Sequence, residues 1–116
     1  MPDEDRPSGP ALTFSAPVFR VSDMEAAMAY LTDRLGFRVQ GRAGDPPDWV
    51  SMMRDSVEIM LVRGDDPPPP QDWAAYIYVK DVDALYAELE TRGADLLGPP
   101  TDQPYNNREF EVRLPE

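Results

Sequence analysis

Ala16-Pro17-Val18-Phe19-Arg20-Val21-Ser22-Asp23-Met24-Glu25-Ala26 and Ala74-Ala75-Tyr76-Ile77-Tyr78-Val79-Lys80-Asp81-Val82-Asp83-Ala84 follow one pattern. Each runs from an alternating apolar stretch through an acidic break into residues with helical spacing. The match continues outward: Ala29 falls on Ala87, Leu31 on Leu89 and Arg34 on Arg92, and a single slip places Gly36 on Gly93. Pattern carries more of this match than identity does. The chain therefore reads as an internal duplication.

In the first copy, residues 12–21 form a strand with Val18 and Arg20 on one face and Phe19 and Val21 on the other. Ser22-Asp23-Met24-Glu25 fits a capping box, with Ser22 at the N-cap and Glu25 three residues on. Met24, Ala27, Met28, Leu31 and Leu35 then recur at helical spacing, and Gly36 supplies the stop. A strand at 37–41, a loop at Gly44-Asp45-Pro46-Pro47-Asp48 and strands at 49–54 and 57–63 around the Asp55-Ser56 turn complete a β-α-β-β-β unit. Residues 64–72 hold four consecutive prolines, a stiff connector that extends neither helix nor ladder.

The second copy predicts a strand at 76–79 and a helix with Val82, Leu85, Tyr86 and Leu89 on one face. Strands at 95–97 and 108–114 follow, separated by a Gly98-Pro99-Pro100 break. The expected architecture is α+β: two tandem βαβββ modules, at about 11–63 and 73–116, form one domain over 11–116 behind an acidic tail at 1–10. Neither module can bury a sheet face alone. Pairing them places helices outside and a curved mixed sheet around a cleft. Strand parity then sends Phe19, Val21, Ile59, Leu61, Ile77, Val79, Phe110, Val112 and Leu114 beneath the helices. Val18, Arg20, Glu58, Met60, Tyr76, Tyr78, Glu109 and Glu111 turn toward the cleft.

Composition narrows the chemistry. The 116 residues hold 22 acids against 11 bases, a net charge of −11, with no histidine and no cysteine. Ordinary zinc sites, Ser-His or Cys-His nucleophiles, iron–sulfur clusters and disulfides are therefore excluded. Any metal would need oxygen ligands. The negative field disfavours nucleic acid and favours cationic ligands or basic partners. No run approaches the roughly 20 apolar residues of a membrane span. An acidic N-terminus without an apolar stretch, together with absent cysteine, fits a cytoplasmic protein.

The tandem pattern resembles the vicinal oxygen chelate superfamily of glyoxalase I, extradiol dioxygenases, fosfomycin resistance proteins and bleomycin resistance proteins. It is most similar to the last of these. The resemblance rests on Ser15-Ala16-Pro17-Val18, Thr32-Asp33-Arg34-Leu35-Gly36-Phe37, Arg54-Asp55 before Val57, and Tyr76-Ile77-Tyr78-Val79. It continues through Asp83-Ala84-Leu85-Tyr86-Ala87-Glu88 and Gln103-Pro104-Tyr105, then Arg108-Glu109-Phe110, and spans about residues 13–116. Positions aligned with metal ligands of the metal-using members hold Ala16, Met60 and Ala74, none able to bind a metal. In relatives a glycine turn after the position of Glu116 leads into a closing strand; the sequence leaves open whether such a strand follows.

That resemblance implies a protein that needs no metal or cofactor and sequesters a drug without transforming it. It implies a homodimer with ligand crevices at the subunit interface and an N-terminal strand exchanged about a proline, here Pro17. The ligand is a large cationic glycopeptide with a planar bithiazole and a positive tail. The matching aromatic positions are Trp49, Tyr76, Tyr78 and Tyr105, with Met60 as a soft wall and Glu58 and Glu109 as acidic surroundings. Three features depart from the family pattern: Tyr105-Asn106-Asn107 replaces an expected Trp-Gly, tyrosines stand where tryptophans are expected at 76–79, and the proline run is foreign to it. Two rivals stand beside this reading. One is a metal-dependent lyase or dioxygenase of the same superfamily; the other is a dimeric scaffold whose acidic face binds a basic protein.

Overall fold

The computed structural model describes residues 10–65 and 74–114. Most of the acidic tail and of the proline connector therefore lies outside the described residues. The first copy forms β1 (Val18–Val21), α1 (Met24–Asp33), β2 (Arg38–Ala43), β3 (Trp49–Arg54) and β4 (Val57–Arg63). These strands make one sheet in the order β1-β4-β3-β2, with β1 parallel to β4 and the other pairs antiparallel. The β3–β4 hairpin keeps the expected bounds because Asp55, at φ 53°, closes the tight turn.

Helix α1 lies on one face of this sheet. Met24, Ala27 and Leu31 pack with Val21, Val50, Met52, Ile59 and Leu61, and all eight are buried. Each large side chain removed from water there contributes about 1.5–3 kcal/mol. The expected cap is corrected by one residue. Asp23, not Ser22, is the N-cap, and its carboxylate accepts from the Ala26 N–H at 3.0 Å. A carboxylate so placed both satisfies an open amide and meets the positive end of the helix dipole.

The second copy follows as α2 (Val82–Arg92), β5 (Asp95–Leu96), β6 (Thr101–Asp102), β7 (Arg108–Glu109) and β8 (Val112–Arg113). Asp81 caps α2 as Asp23 caps α1, accepting from the Ala84 N–H at 3.0 Å. Gly93 ends α2 at φ 80°, with the Ala94 N–H on the Leu89 carbonyl at 3.0 Å. That left-handed close is the usual helix stop at glycine.

The strand predicted at 108–114 is interrupted, β7 pairing with β6 and β8 with β5. The strand predicted at 76–79 is a clearer correction. Those residues form no ladder, and Ile77 and Val79 are exposed at 43% and 39% instead of packing under a helix. In the first copy β1 is held by its parallel ladder to β4, and the described residues of the second copy contain no counterpart of β4. Phe110, Val112 and Leu114 do pack against the core.

Polar contacts join the copies. Arg34 after α1 donates to the Gly93 carbonyl at 2.6 Å, and Arg92 of α2 donates to the Asp33 carbonyl at 3.3 Å. Each helix end thus receives the arginine of the other. Arg54 forks onto Glu88 at 2.9 and 2.7 Å, and Arg92 reaches the same carboxylate at 2.8 Å. The two guanidinium groups, Arg54 first, hold the Glu88 carboxyl below the usual carboxylate range. Tyr30 adds another tie, donating to the Arg113 carbonyl at 2.7 Å while accepting from the Asp95 N–H at 2.9 Å.

Candidate functional site

Two of the aromatic candidates converge on one carboxylate, and a third packs on one of them. The Tyr76 hydroxyl donates to Glu109 Oε1 at 2.6 Å, and the Tyr105 hydroxyl donates to the same oxygen at 2.8 Å. Asn107 donates to the Tyr76 oxygen at 3.1 Å. Tyr78 meets Tyr76 edge to face, with ring centroids 5.3 Å apart and an interplanar angle of 74°. Together Tyr76, Tyr78, Tyr105 and Asn107 line a shallow hollow of about 310 Å³.

Glu109 also sets the acidity of its neighbours. Ionising either phenol would bring a second negative charge against it, so the Tyr76 pKa is raised and that of Tyr105 is pushed up to about 12. The hydrogen bond to Glu109 is the largest cause in each case, and Glu111 adds to the field at Tyr105. Neighbouring residues hold Glu109 in place. Arg108 spans Asp83 at 3.0 Å and Asp102 at 3.2 Å, tying β7 to the start of α2 and to β6. Phe110 packs edge to face on Tyr86 of α2, centroids 5.2 Å apart.

A second hollow, of about 500 Å³, adjoins the first through Tyr76 and Tyr78. Residues 15–17, 56–58 and 75–78 line it, so Pro17 and Glu58 border the same space as the two tyrosines. Glu58 is buried at 9% exposure and accepts from the Ser51 hydroxyl at 2.6 Å, while Gln40 donates to Ser51 at 3.4 Å. Register places Ser51, Met53, Glu58 and Met60 on one face of the β3–β4 pair, opposite the α1 face.

The sequence candidates thus fall into three groups. Tyr76, Tyr78, Tyr105 and Glu109 come together, and Glu58 and Pro17 border the adjoining hollow. Trp49 and Met60 share the sheet face of Glu58 but line neither hollow. Sequence reasoning missed Ser51, Gln40 and Asn107. Ser51 could have been found from the hairpin: the Asp55-Ser56 turn pairs Met53 with Glu58, which makes Ser51 the diagonal neighbour of Glu58.

Among the described residues, no group of three or more Asp, Glu, His or Cys side chains is placed to hold a metal ion. Among the same residues no helix is long and apolar enough to cross a membrane. What the site offers instead is aromatic surface, phenol hydroxyls and carboxylates. Such surfaces hold flat and cationic molecules by stacking and by charge.

Comparison with known proteins agrees on the fold. Residues 13–113 match the family model described as the glyoxalase/bleomycin resistance protein/dioxygenase superfamily. The bleomycin-binding protein of bleomycin-producing Streptomyces verticillus, solved with copper(II)-bleomycin, superposes with a TM-score of 0.74 at 22% identity, covering 92% of this chain and 91% of that one. A bleomycin resistance determinant encoded on the transposon Tn5 gives 0.73 at 16% identity, covering 87% and 88%. A superfamily member from Sphaerobacter thermophilus gives 0.72 at 21% identity, covering 90% of each chain. No curated protein matches the sequence. With the family model covering residues 13–113, the chain belongs to the glyoxalase/bleomycin resistance protein/dioxygenase superfamily.

Proposed function

We propose that the protein binds and sequesters a cationic, planar aromatic small molecule of the bleomycin type, without a metal and without transforming it. The observation that carries this reading is the gathering of Tyr76, Tyr78 and Tyr105 about Glu109. Two phenols satisfy their hydroxyls on the carboxylate, and all three rings stay exposed, Tyr78 at 79%. A flat heteroaromatic gains by stacking on such rings, and a net charge of −11 draws a cation toward them. The bleomycin carried by the Streptomyces verticillus neighbour supports the same ligand class. In this reading two tandem β-α-β-β-β modules form one domain around a cleft, and the protein is a homodimer with ligand crevices at the subunit interface and Pro17 as the hinge of an exchanged N-terminal strand. Trp49 and Met60 extend the ligand surface along the sheet.

Calorimetry with a metal-free bleomycin-type drug, with and without chelator, tests this. The expected result is micromolar or tighter binding, near one ligand per subunit and indifferent to chelation. Tyr78→Ala should weaken binding by about three- to tenfold, the range of one lost stacking partner. Binding that requires added divalent metal, or turnover of the ligand, would replace this reading with a lyase or dioxygenase. No heat with any drug, alongside capture of a basic protein, would replace it with a scaffold.

A further inference from the structure

Glu109 is the acid at the centre of the aromatic cluster, yet it lines neither hollow, whereas the two rings that donate to it both line the smaller one. Its Oε1 accepts the two hydroxyls at 2.6 and 2.8 Å, as a charged acceptor draws its donors close. Tyr78 stands at 74° to Tyr76, so their rings make a corner, and the carboxylate orients two rings directly and the third through one of them. The loop before Glu109 holds this arrangement. The Gln103 N–H donates to the Asn107 carbonyl at 2.7 Å and the Asn106 N–H to the Gln103 carbonyl at 3.1 Å, which seats Tyr105 four residues before Glu109. Exposed rings without such tethers would lose their motion only on binding, and affinity would fall accordingly.

We propose that Glu109 is a positioning residue: it pairs with no group of the ligand, and it holds the tyrosines as a ready-made cage whose ring faces take the ligand's cation. The inference rests on the cationic-ligand reading above and specifies how the charge is recognised, by ring faces and not by a salt bridge to this carboxylate. A ring face attracts positive charge without accepting any particular hydrogen. The cage therefore takes a quaternary ammonium group, which has no N–H to offer, at least as well as a primary ammonium. A salt-bridging carboxylate has the reverse preference, because a primary ammonium brings three donors to it.

Calorimetry with three probes separates the two roles: a bithiazole carrying a propyl chain that ends in trimethylammonium, in ammonium, or in the neutral, isosteric tert-butyl group. Wild-type protein should bind the trimethylammonium probe about threefold more tightly than the tert-butyl probe, and no more weakly than the ammonium probe. Glu109→Ala frees the rings and should weaken all three probes alike, by about three- to tenfold. Glu109→Gln keeps an acceptor for the phenols and should recover most of that loss, with the cation preference intact within about twofold. Tyr76→Phe combined with Tyr105→Phe removes both donors and leaves the carboxylate. That protein should match Glu109→Ala within about twofold, and adding Glu109→Ala to it should cost nothing further. Selective loss of the cationic probes in Glu109→Gln, a wild-type preference for the ammonium probe, or a double-phenylalanine protein that binds as wild type does would each overturn the inference. If Glu109→Ala does not fold, Glu109→Gln and the double-phenylalanine protein decide by the same criteria. Equal wild-type affinity for all three probes defeats the cage alone. Failure of all three probes to bind defeats the aromatic-ligand reading with it.

Discussion

Glu109 shows how much one residue can organise when its neighbours hold it still. In Arg108-Glu109-Phe110 the first residue ties strand to helix, the second gathers two phenols and the third packs on Tyr86. The family resemblance singled out Glu109 and the tyrosines in the sequence, although the strand whose parity was to orient Tyr76 and Tyr78 does not form. Ser51 was not singled out, because a lone serine in a strand reads as solvent-facing, and only pairing reveals that it bonds a buried carboxylate. The Tyr105–Glu109 contact has a measurable sign. A phenol whose folded pKa is raised contributes its stabilisation fully below the ordinary tyrosine value, and loses it as pH climbs through about 12. Spectrophotometric titration of wild type minus Tyr105→Phe should therefore isolate a phenol ionising near 12, and Glu109→Gln should bring it down toward the ordinary tyrosine value of about 10. A Tyr105 phenol already titrating near 10 in wild type would show that the contact is absent in solution.

At the scale of elements, the local capping motif misplaced the first cap by one residue. Ser22-Asp23-Met24-Glu25 satisfies a capping box, yet its partner stretch begins with Lys80, which cannot cap, followed by Asp81, which can. Aligning the copies selects Asp23, and the structure places Asp23 and Asp81 at equivalent caps. Replacing either aspartate with alanine should cost about 1 kcal/mol in urea unfolding, whereas Ser22→Ala should fall within about 0.5 kcal/mol of wild type. A Ser22→Ala loss as large as that of Asp23→Ala would reassign the cap. The same comparison shows why residues 76–79 misled. Alternation reports which face a side chain would take once a ladder exists, and it contains nothing about whether a neighbouring strand is there to pair.

For the whole molecule, the uneven spread of the core matters most. Of the buried apolar side chains among the described residues, Leu89 alone belongs to the second copy; the rest join α1 to the four-stranded sheet and the turn after α1. Beyond Leu89, the second copy adds only partly buried apolar residues to this core, Leu85, Leu96, Phe110, Val112 and Leu114 among them, together with two-residue ladders and the reciprocal Arg34 and Arg92 contacts. Stability should therefore be graded, since local opening costs least where few apolar contacts resist it. In hydrogen exchange, amides of β3, β4 and α1 should be the slowest, and those of residues 76–79, which have no ladder, among the fastest. The proposed dimer adds a condition. Tyr76, Ile77, Tyr78 and Val79 form an exposed segment beside the hollow at Pro17, and the proposed exchange brings a strand of a second copy to it. Protection of residues 76–79 should then rise with protein concentration, in step with the dimer fraction from size exclusion, while β3 and β4 stay unchanged. Dimerisation that leaves those amides in fast exchange would place the interface elsewhere, because ordinary ladder hydrogen bonds cannot form without slowing the amides that donate them.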